Sequence, residues 1–355
     1  MKLRQDDSDR QMVLSGEQAI LDFYTYPPIG GENWRYAFQT AQVRALETQM
    51  ISRAALTEMA SAASYEDAVG LLAATEYALP QRTAGLGELN KHLLEQRAAL
   101  YAMFEQWCLD KEVVVLFRSR YDFANLRLAL RRSLTGRAVG TDYSDSGNVA
   151  PERFAEVLEQ EEYRPLPDFL QDAANRAVLA YYQDKDIRRI DHAIDAAQAQ
   201  YNLQQARRLG SEFLVGLFRI QIDLTNIRTM LRLKFSGSEL RNVFLEGGYL
   251  EVERLQGGLD MPYESLAQLF YVTPYHRLVE SAAAYLASER SFLKLEQQCD
   301  QYLAGYLQTT VRIASGLQPI IAYLLMKENE IRTIRFILTG KKNRLESRLI
   351  LDRIG

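Results

Sequence analysis

The chain has 355 residues, of which 47% are hydrophobic and 25% charged. That balance excludes a disordered, collagen-like or disulfide-scaffold protein, and the length predicts two or three domains. With 42 Lys and Arg against 46 Asp and Glu the net charge is −4, so no global basic excess draws the chain to nucleic acid or anionic lipid.

The first 33 residues stand apart. Met1-Lys2-Leu3-Arg4-Gln5-Asp6-Asp7 is charged but leads into no apolar core with a small-residue cleavage site. Tyr24-Thr25-Tyr26-Pro27-Pro28-Ile29-Gly30-Gly31 is rich in turn formers, so residues 1–33 are expected as an irregular arm, packed on the body or trailing from it. A helix is expected over roughly Trp34–Met59. Beyond it, Ser64 with Asp67 three residues on resembles a capping box, and Tyr65, Val69, Leu72 and Ala73 fall on one helical face.

Nine prolines punctuate the chain, and residues 81–150, 168–261 and 275–318 contain none. These stretches are rich in good helix formers, with apolar residues at helical spacing and no period-2 alternation. The expected fold class is all-α. A polar, Gly-containing stretch from Thr135 to Asn148 reads as a long loop. Nowhere do ~18 apolar residues run together, as a spanning helix requires; Val113–Phe117 and Pro319–Met326 come nearest, so no membrane crossing is expected. Cys108 and Cys299 lie 191 residues apart in segments that read as helix, a spacing that suggests two reduced structural thiols rather than a disulfide framework or metal knuckle.

One pattern recurs three times: an acid, two spacers, a polar residue, Leu or Ile, Arg, two spacers, Leu. It runs Asp122-Phe123-Ala124-Asn125-Leu126-Arg127-Leu128-Ala129-Leu130 and Asp223-Leu224-Thr225-Asn226-Ile227-Arg228-Thr229-Met230-Leu231. A weaker copy is Glu330-Ile331-Arg332-Thr333-Ile334-Arg335-Phe336-Ile337-Leu338. The acids are spaced by 101 and 107 residues, and Gly136, Gly237 and Gly340 follow them, placed to close each helix in a left-handed conformation. A second marker, a Ser or Pro start and an amphipathic stretch ending in Tyr, runs Ser64 to Tyr77, Pro151 to Tyr163 and Pro262 to Tyr275. The expected organisation is an arm over 1–33, an N-terminal helix plus first helical unit over 34–149, a second unit over 150–260 and a third over 261–355.

Nothing in the chain looks catalytic. His92, His192 and His276 form no metal-ligand spacing, and no cofactor or metal is expected. Glu159-Gln160-Glu161-Glu162 reads as a solvated helix end, and Gly30-Gly31 and Gly247-Gly248 as turns rather than phosphate loops. On a helix Asp122 and Asn125 share a face, as do Asp223 and Asn226, while Arg127 with Arg131 and Arg228 with Arg232 project from another side. The polar repeat of Asp122, Asn125, Arg127, Asp223, Asn226, Arg228, Glu330, Thr333 and Arg335 has two readings. It is a hydrogen-bond network locking each unit's helices, or a threefold ring of polar side chains lining an opening at a partner interface. A C-terminal basic cluster of Lys327, Arg332, Arg335, Lys341, Lys342, Arg344, Arg348 and Arg353 lacks the aromatic platform of an RNA site. It reads as a solvated face or a patch for an acidic protein.

At these residues the chain resembles the C subunits of the V-type and archaeal-type rotary ATPases, which are related to the d subunit of the eukaryotic V-ATPase. The resemblance rests on Ile222 to Arg232, on Phe244-Leu245-Glu246-Gly247-Gly248-Tyr249-Leu250 and on Pro319 to Arg332, continuing through Leu338-Thr339-Gly340-Lys341-Lys342-Asn343. Tyr36 to Glu47 matches the family's usual opening, so the likeness spans about residues 34–355. It implies three similar helical lobes in a pseudo-threefold funnel, on the cytoplasmic face of the membrane. Such a protein would be a non-catalytic socket coupling central-shaft subunits to the membrane rotor ring of proteolipid, with neither nucleic acid nor small-molecule substrate. Residues 1–33 exceed what shorter members carry, and Thr333 departs from the Asn of the other copies. The alternative from residues alone is a helical-repeat adaptor for a soluble partner, which predicts repeats of about 34 to 47 residues. An enzyme assembled from distant carboxylates would need a shared pocket.

Overall fold

The computed structural model describes residues 26–79, 85–136, 143–160, 162–238 and 240–355, without the side chains of 158 and 159. The chain is all-α, with no β-strand among the described residues. In chain order the helices are α1 (Ala37–Glu47), α2 (Arg53–Ser61), α3 (Tyr65–Gly70), α4 (Leu86–Trp107), α5 (Lys111–Thr135), α6 (Pro151–Glu159), α7 (Asp168–Asp184), α8 (Ile187–Arg208), α9 (Glu212–Ser236), α10 (Val252–Asp260), α11 (Tyr263–Leu266), α12 (His276–Glu289), α13 (Leu293–Gln308), α14 (Leu317–Lys342) and α15 (Ser347–Ile354). They form two compact units, one built on residues 111–261 and the other on 29–110 joined with 275–355.

In the first unit α5 and α9 each run 25 residues, and each ends at a glycine in the left-handed region, Gly136 at φ 61 and Gly237 at φ 64. Ser238 N–H reaches Leu233 O and Gly237 N–H reaches Lys234 O, the paired bonds that satisfy the last free carbonyls of a helix. The core around α5 comprises Phe123, Leu126 and Leu130 with Phe154 of α6, Leu170 of α7 and Ile190 and Ile194 of α8, all essentially sealed from solvent. Phe169 and Tyr201 stack beside it at 4.2 Å between ring centroids. Burying a Leu, Ile or Phe stabilises by roughly 1.5–3 kcal/mol, so these contacts, more than helix propensity, hold the element pairs.

The second unit is built on α14, 26 residues long, whose buried face includes Ile320, Ile321, Leu324, Ile334 and Leu338. Gly340 does not end this helix. It is buried inside it, where a Cβ would meet Ile350 Cδ1 at 3.0 Å. The left-handed closing residue is instead Arg344 at φ 57, with Leu345 N–H to Gly340 O and Arg344 N–H to Lys341 O.

Three other expectations are corrected. The helix expected over Trp34–Met59 is two helices, because residues 48–52 break it and Ser52, in extended backbone, caps α2 by accepting from Ala55 N–H. Ser64 accepts from Asp67 N–H as a cap should, but α3 stops at Gly70, so Ala73 lies off its face and is exposed while Tyr65, Val69 and Leu72 are buried. The marker starting at Ser64, Pro151 and Pro262 mixes registers. Pro151 opens α6, and the residue 101 positions later, Val252, opens α10, so Pro262 is not its counterpart. Of the arm, residues 1–25 lie outside the described residues, while 26–33 contain no helix or strand. The expected loop from Thr135 overlaps the end of α5, and its residues 137–142 also lie outside.

Candidate functional site

The repeated acids sit at matching depths in the long helices: Asp122 is 0%, Asp223 0% and Glu330 4% exposed. A buried carboxylate is costly unless its lone pairs are filled, and each accepts from at least one backbone N–H. Asp122 on α5 accepts from Asn148 N–H at 2.8 Å and Val149 N–H at 2.9 Å, and also from the Asn148 side-chain amide at 2.8 Å. Asp223 on α9 accepts from Tyr249 N–H and Leu250 N–H, both at 3.0 Å. One turn on, Asn125 exchanges a pair of 2.8 Å bonds with Ser144 N–H and C=O. Asn226 does the same with Leu245. The side-chain amide thus behaves like one residue of a β-ladder, gripping a loop that has no strand partner.

An arginine one turn before Asp122 and before Asp223 completes the grip. Arg118 donates to Ser146 O at 3.2 Å and Gly147 O at 2.6 Å. Arg219 donates to Gly248 O at 2.9 Å and lies over the Tyr249 ring at 4.0 Å. The loops 144–149 and 245–250 are thereby clasped to the helices that precede them. Burial pushes the Asp122 carboxyl above its ordinary value, opposed by the hydrogen bonds from Val149 and Asn148 and by the charge of Arg118. Gly147, Gly248, Arg118 and Arg219 belong to this arrangement, although sequence patterning did not single them out for it. The signal was available, since each pair is separated by the same 101 residues as the acids.

The third acid differs. Glu330 accepts from Ile51 N–H at 2.7 Å, the Tyr77 hydroxyl at 2.8 Å and the Lys327 ammonium, which also pairs with Glu76. The nearby phenols of Tyr77 and Tyr323 are driven far up, first by burial and then by these carboxylates. Thr333, half-buried, donates back to Asn329 O at 2.8 Å.

The arginines of the repeat do not share one environment. Arg127 pairs with Asp195 and with Asp191 at 3.7 Å on α8, joined by Arg131 to Asp191 at 3.5 Å. Burial raises the Asp191 carboxyl, with Arg131 and Arg127 opposing. Arg228 is half-buried and Arg335 is exposed. The C-terminal basic residues are not a uniformly solvated face. Lys327 is enclosed, Lys341 donates to Ala62 O and Ser347, and Arg332 and Arg353 pair with Asp300. Arg348 pairs with Glu289 and Lys342 with Glu66.

Among the described residues no group of three or more His, Cys, Asp or Glu is placed to hold a metal ion, and no helix is long and apolar enough to cross a membrane. Chemically the arrangement can bind backbone and resist separation of packed segments. Comparison with known proteins matches residues 39–353 to the ATP synthase (C/AC39) subunit family. The C subunit of the V-type sodium ATPase of Enterococcus hirae is 25% identical over 320 residues, covering 88% of this chain and 95% of that protein. The C subunit of the A-type ATP synthase of Methanococcoides burtonii is 23% identical over 358 residues, covering 91% and 95%. The protein of the same name from Methanocaldococcus jannaschii is 24% identical over 345 residues, covering 88% and 84%.

Proposed function

The chain belongs to the ATP synthase (C/AC39) subunit family, and from that premise we propose that it is the non-catalytic socket of a rotary ATPase, coupling the central shaft to the membrane rotor ring. The observation that carries this reading is the extent of the match, nearly end to end with the C subunits of V-type and A-type complexes. The implied partners are the central-shaft subunits and the ring of proteolipid, and the implied place is the cytoplasmic face of the membrane, without insertion. We further propose three helical lobes in pseudo-threefold arrangement, with boundaries near 34–149, 150–260 and 261–355. The equal lengths of α5 and α9, the similar length of α14 and the shared depth of their acids support it.

In this reading Asp122, Asn125, Asp223, Asn226 and Glu330 keep the socket rigid. Torque transmission needs walls that do not yield, and buried charge-assisted bonds supply that stiffness. Thr333 adds a bond within its own helix. Arg127 ties α5 to α8, Arg228 sits at the matching half-buried position, and Arg335 is available to a partner.

Purification of the tagged protein from gently solubilised membranes tests the proposal. Shaft subunits and ring proteolipid are expected in the eluate; soluble proteins alone, even at low salt, would favour the adaptor reading. The many charges on these repeats also predict that shaft binding weakens with salt. An affinity unchanged between low and ~0.5 M salt, well past the screening range, would sink that part.

A further inference from the structure

Two of the three acids are closed by chain that follows their own helix, through bonds to residues 26 and 27 positions onward. Glu330 is closed by Ile51, 279 positions away in the chain. The register is nonetheless the same. Val149 and Leu250 each stand two residues before a nine-residue helix, α6 or α10, and Ile51 stands two residues before α2, also nine residues long. The Asn position explains the remaining difference. Where residues 144 and 245 offer a free N–H and C=O, the corresponding stretch before α2 is already helix α1, whose backbone bonds are internal. No extended segment lies there for an asparagine to grip, and Thr333 stands in its place.

The segment 29–52 is held down mostly by a polar seam. Asn33 and Ser315 exchange bonds of 2.8 and 2.7 Å, Thr40 both donates to and accepts from Gly316, and Arg44 donates to Thr310 O and Ile313 O. Among its side chains, Tyr36 and Val43 are the large apolar ones that are fully buried, whereas Trp34 and Phe38 are 68% and 70% exposed. A segment with little buried apolar surface opens at a cost below that of global unfolding.

We propose that residues 29–52 are a strap that replaces the third clasp and opens as one unit, with Glu330 as its latch. The latch can release without stranding a charge, because Tyr77 and Lys327 both bond Glu330 Oε1 while Ile51 alone bonds Oε2. In Glu330→Gln the amide oxygen goes to the side of those two donors, and its NH₂ then faces the Ile51 N–H, donor against donor. The substitution therefore weakens the strap selectively.

Hydrogen–deuterium exchange on the full chain tests the strap. In the unaltered protein the amides of 29–52 are expected to exchange together, at least about tenfold faster than those of α14 and α9. In Glu330→Gln they accelerate by about tenfold more while α8 and α9 stay unchanged. Strap amides exchanging no faster than α14, or equal acceleration of strap and α14 in the variant, overturns the proposal. Where Glu330→Gln does not fold, Thr40→Val cuts one seam contact instead; it must accelerate the strap alone, and failure to do so is equally fatal.

Discussion

Gly248 lies so close to Asp223 that a Cβ on it would stand 2.1 Å from the carboxylate Oδ1, and Gly147 bears the same relation to Asp122 at 2.2 Å. The clasp requires this closeness: the N–H groups of the next two residues can reach the buried acid only if the preceding backbone passes against it. The carboxylate cannot swing aside without losing those bonds. Gly248→Ala and Gly147→Ala are each expected to destabilise the protein by about 2–4 kcal/mol, the cost of a disturbed buried charge network. Urea denaturation checks this, and a midpoint unchanged in both variants contradicts it.

Asp223→Asn and Arg335→Ala separate holding the fold from meeting a partner. The first sets a side-chain amide against backbone donors at a sealed site and should cost about 3 kcal/mol. The second alters an exposed residue and should leave stability within about 0.5 kcal/mol. If the socket reading holds, Arg335→Ala weakens capture of shaft or ring subunits without moving the unfolding midpoint. A lowered midpoint for Arg335→Ala would show a structural role instead.

The clasp on α9 also predicts an alkaline signature. Burial pushes the Tyr249 phenol up to about 12, with Arg219 opposing and Asp223 adding. Its ordinary value is 10.0, so from there to about pH 12 the folded chain keeps a proton that the unfolded chain has lost. Stability contributed by that proton is complete below pH 10 and falls as pH rises through the window. Tyr249→Phe is expected to show a shallower loss of stability across this range. Identical slopes for the two proteins would remove Tyr249 as a source.

Cys108 and Cys299 stand outside any disulfide and are fully buried. A reagent must first reach a thiol before it can react, and both are sealed from solvent. A water-soluble alkylating reagent should therefore modify neither in the native protein and both after denaturation, read by intact mass. Rapid native labelling of either would contradict this packing.

How much of this was legible in the letters differs by element. The long helices announce themselves because Asp122, Asn125 and Leu126 repeat as Asp223, Asn226 and Ile227 on one helical face. The loops they hold do not, because a backbone N–H donor carries no side-chain identity. Ser144 and Leu245 perform the same task with unrelated side chains, and only Gly147 and Gly248 leave a mark. The third copy is harder still. Its partner Ile51 precedes the other two repeats entirely, and Lys327 resembles one more surface cation until Glu76 and Glu330 are seen to enclose it.

The division of the second unit between distant stretches also has a consequence at the ribosome. About 210 residues separate the end of α4 from the start of α14, which at 5–20 residues per second is roughly 10–40 s of synthesis. Throughout that interval α1, α2 and α3 carry Val43, Met59 and Val69 without α14, the helix they pack against in the folded chain. The nascent chain must carry this sticky front half while the main body of the first unit, the single stretch 111–261, can already fold behind it. Holdase chaperones should accordingly bind stalled chains ending near residue 300 far more than released full-length protein.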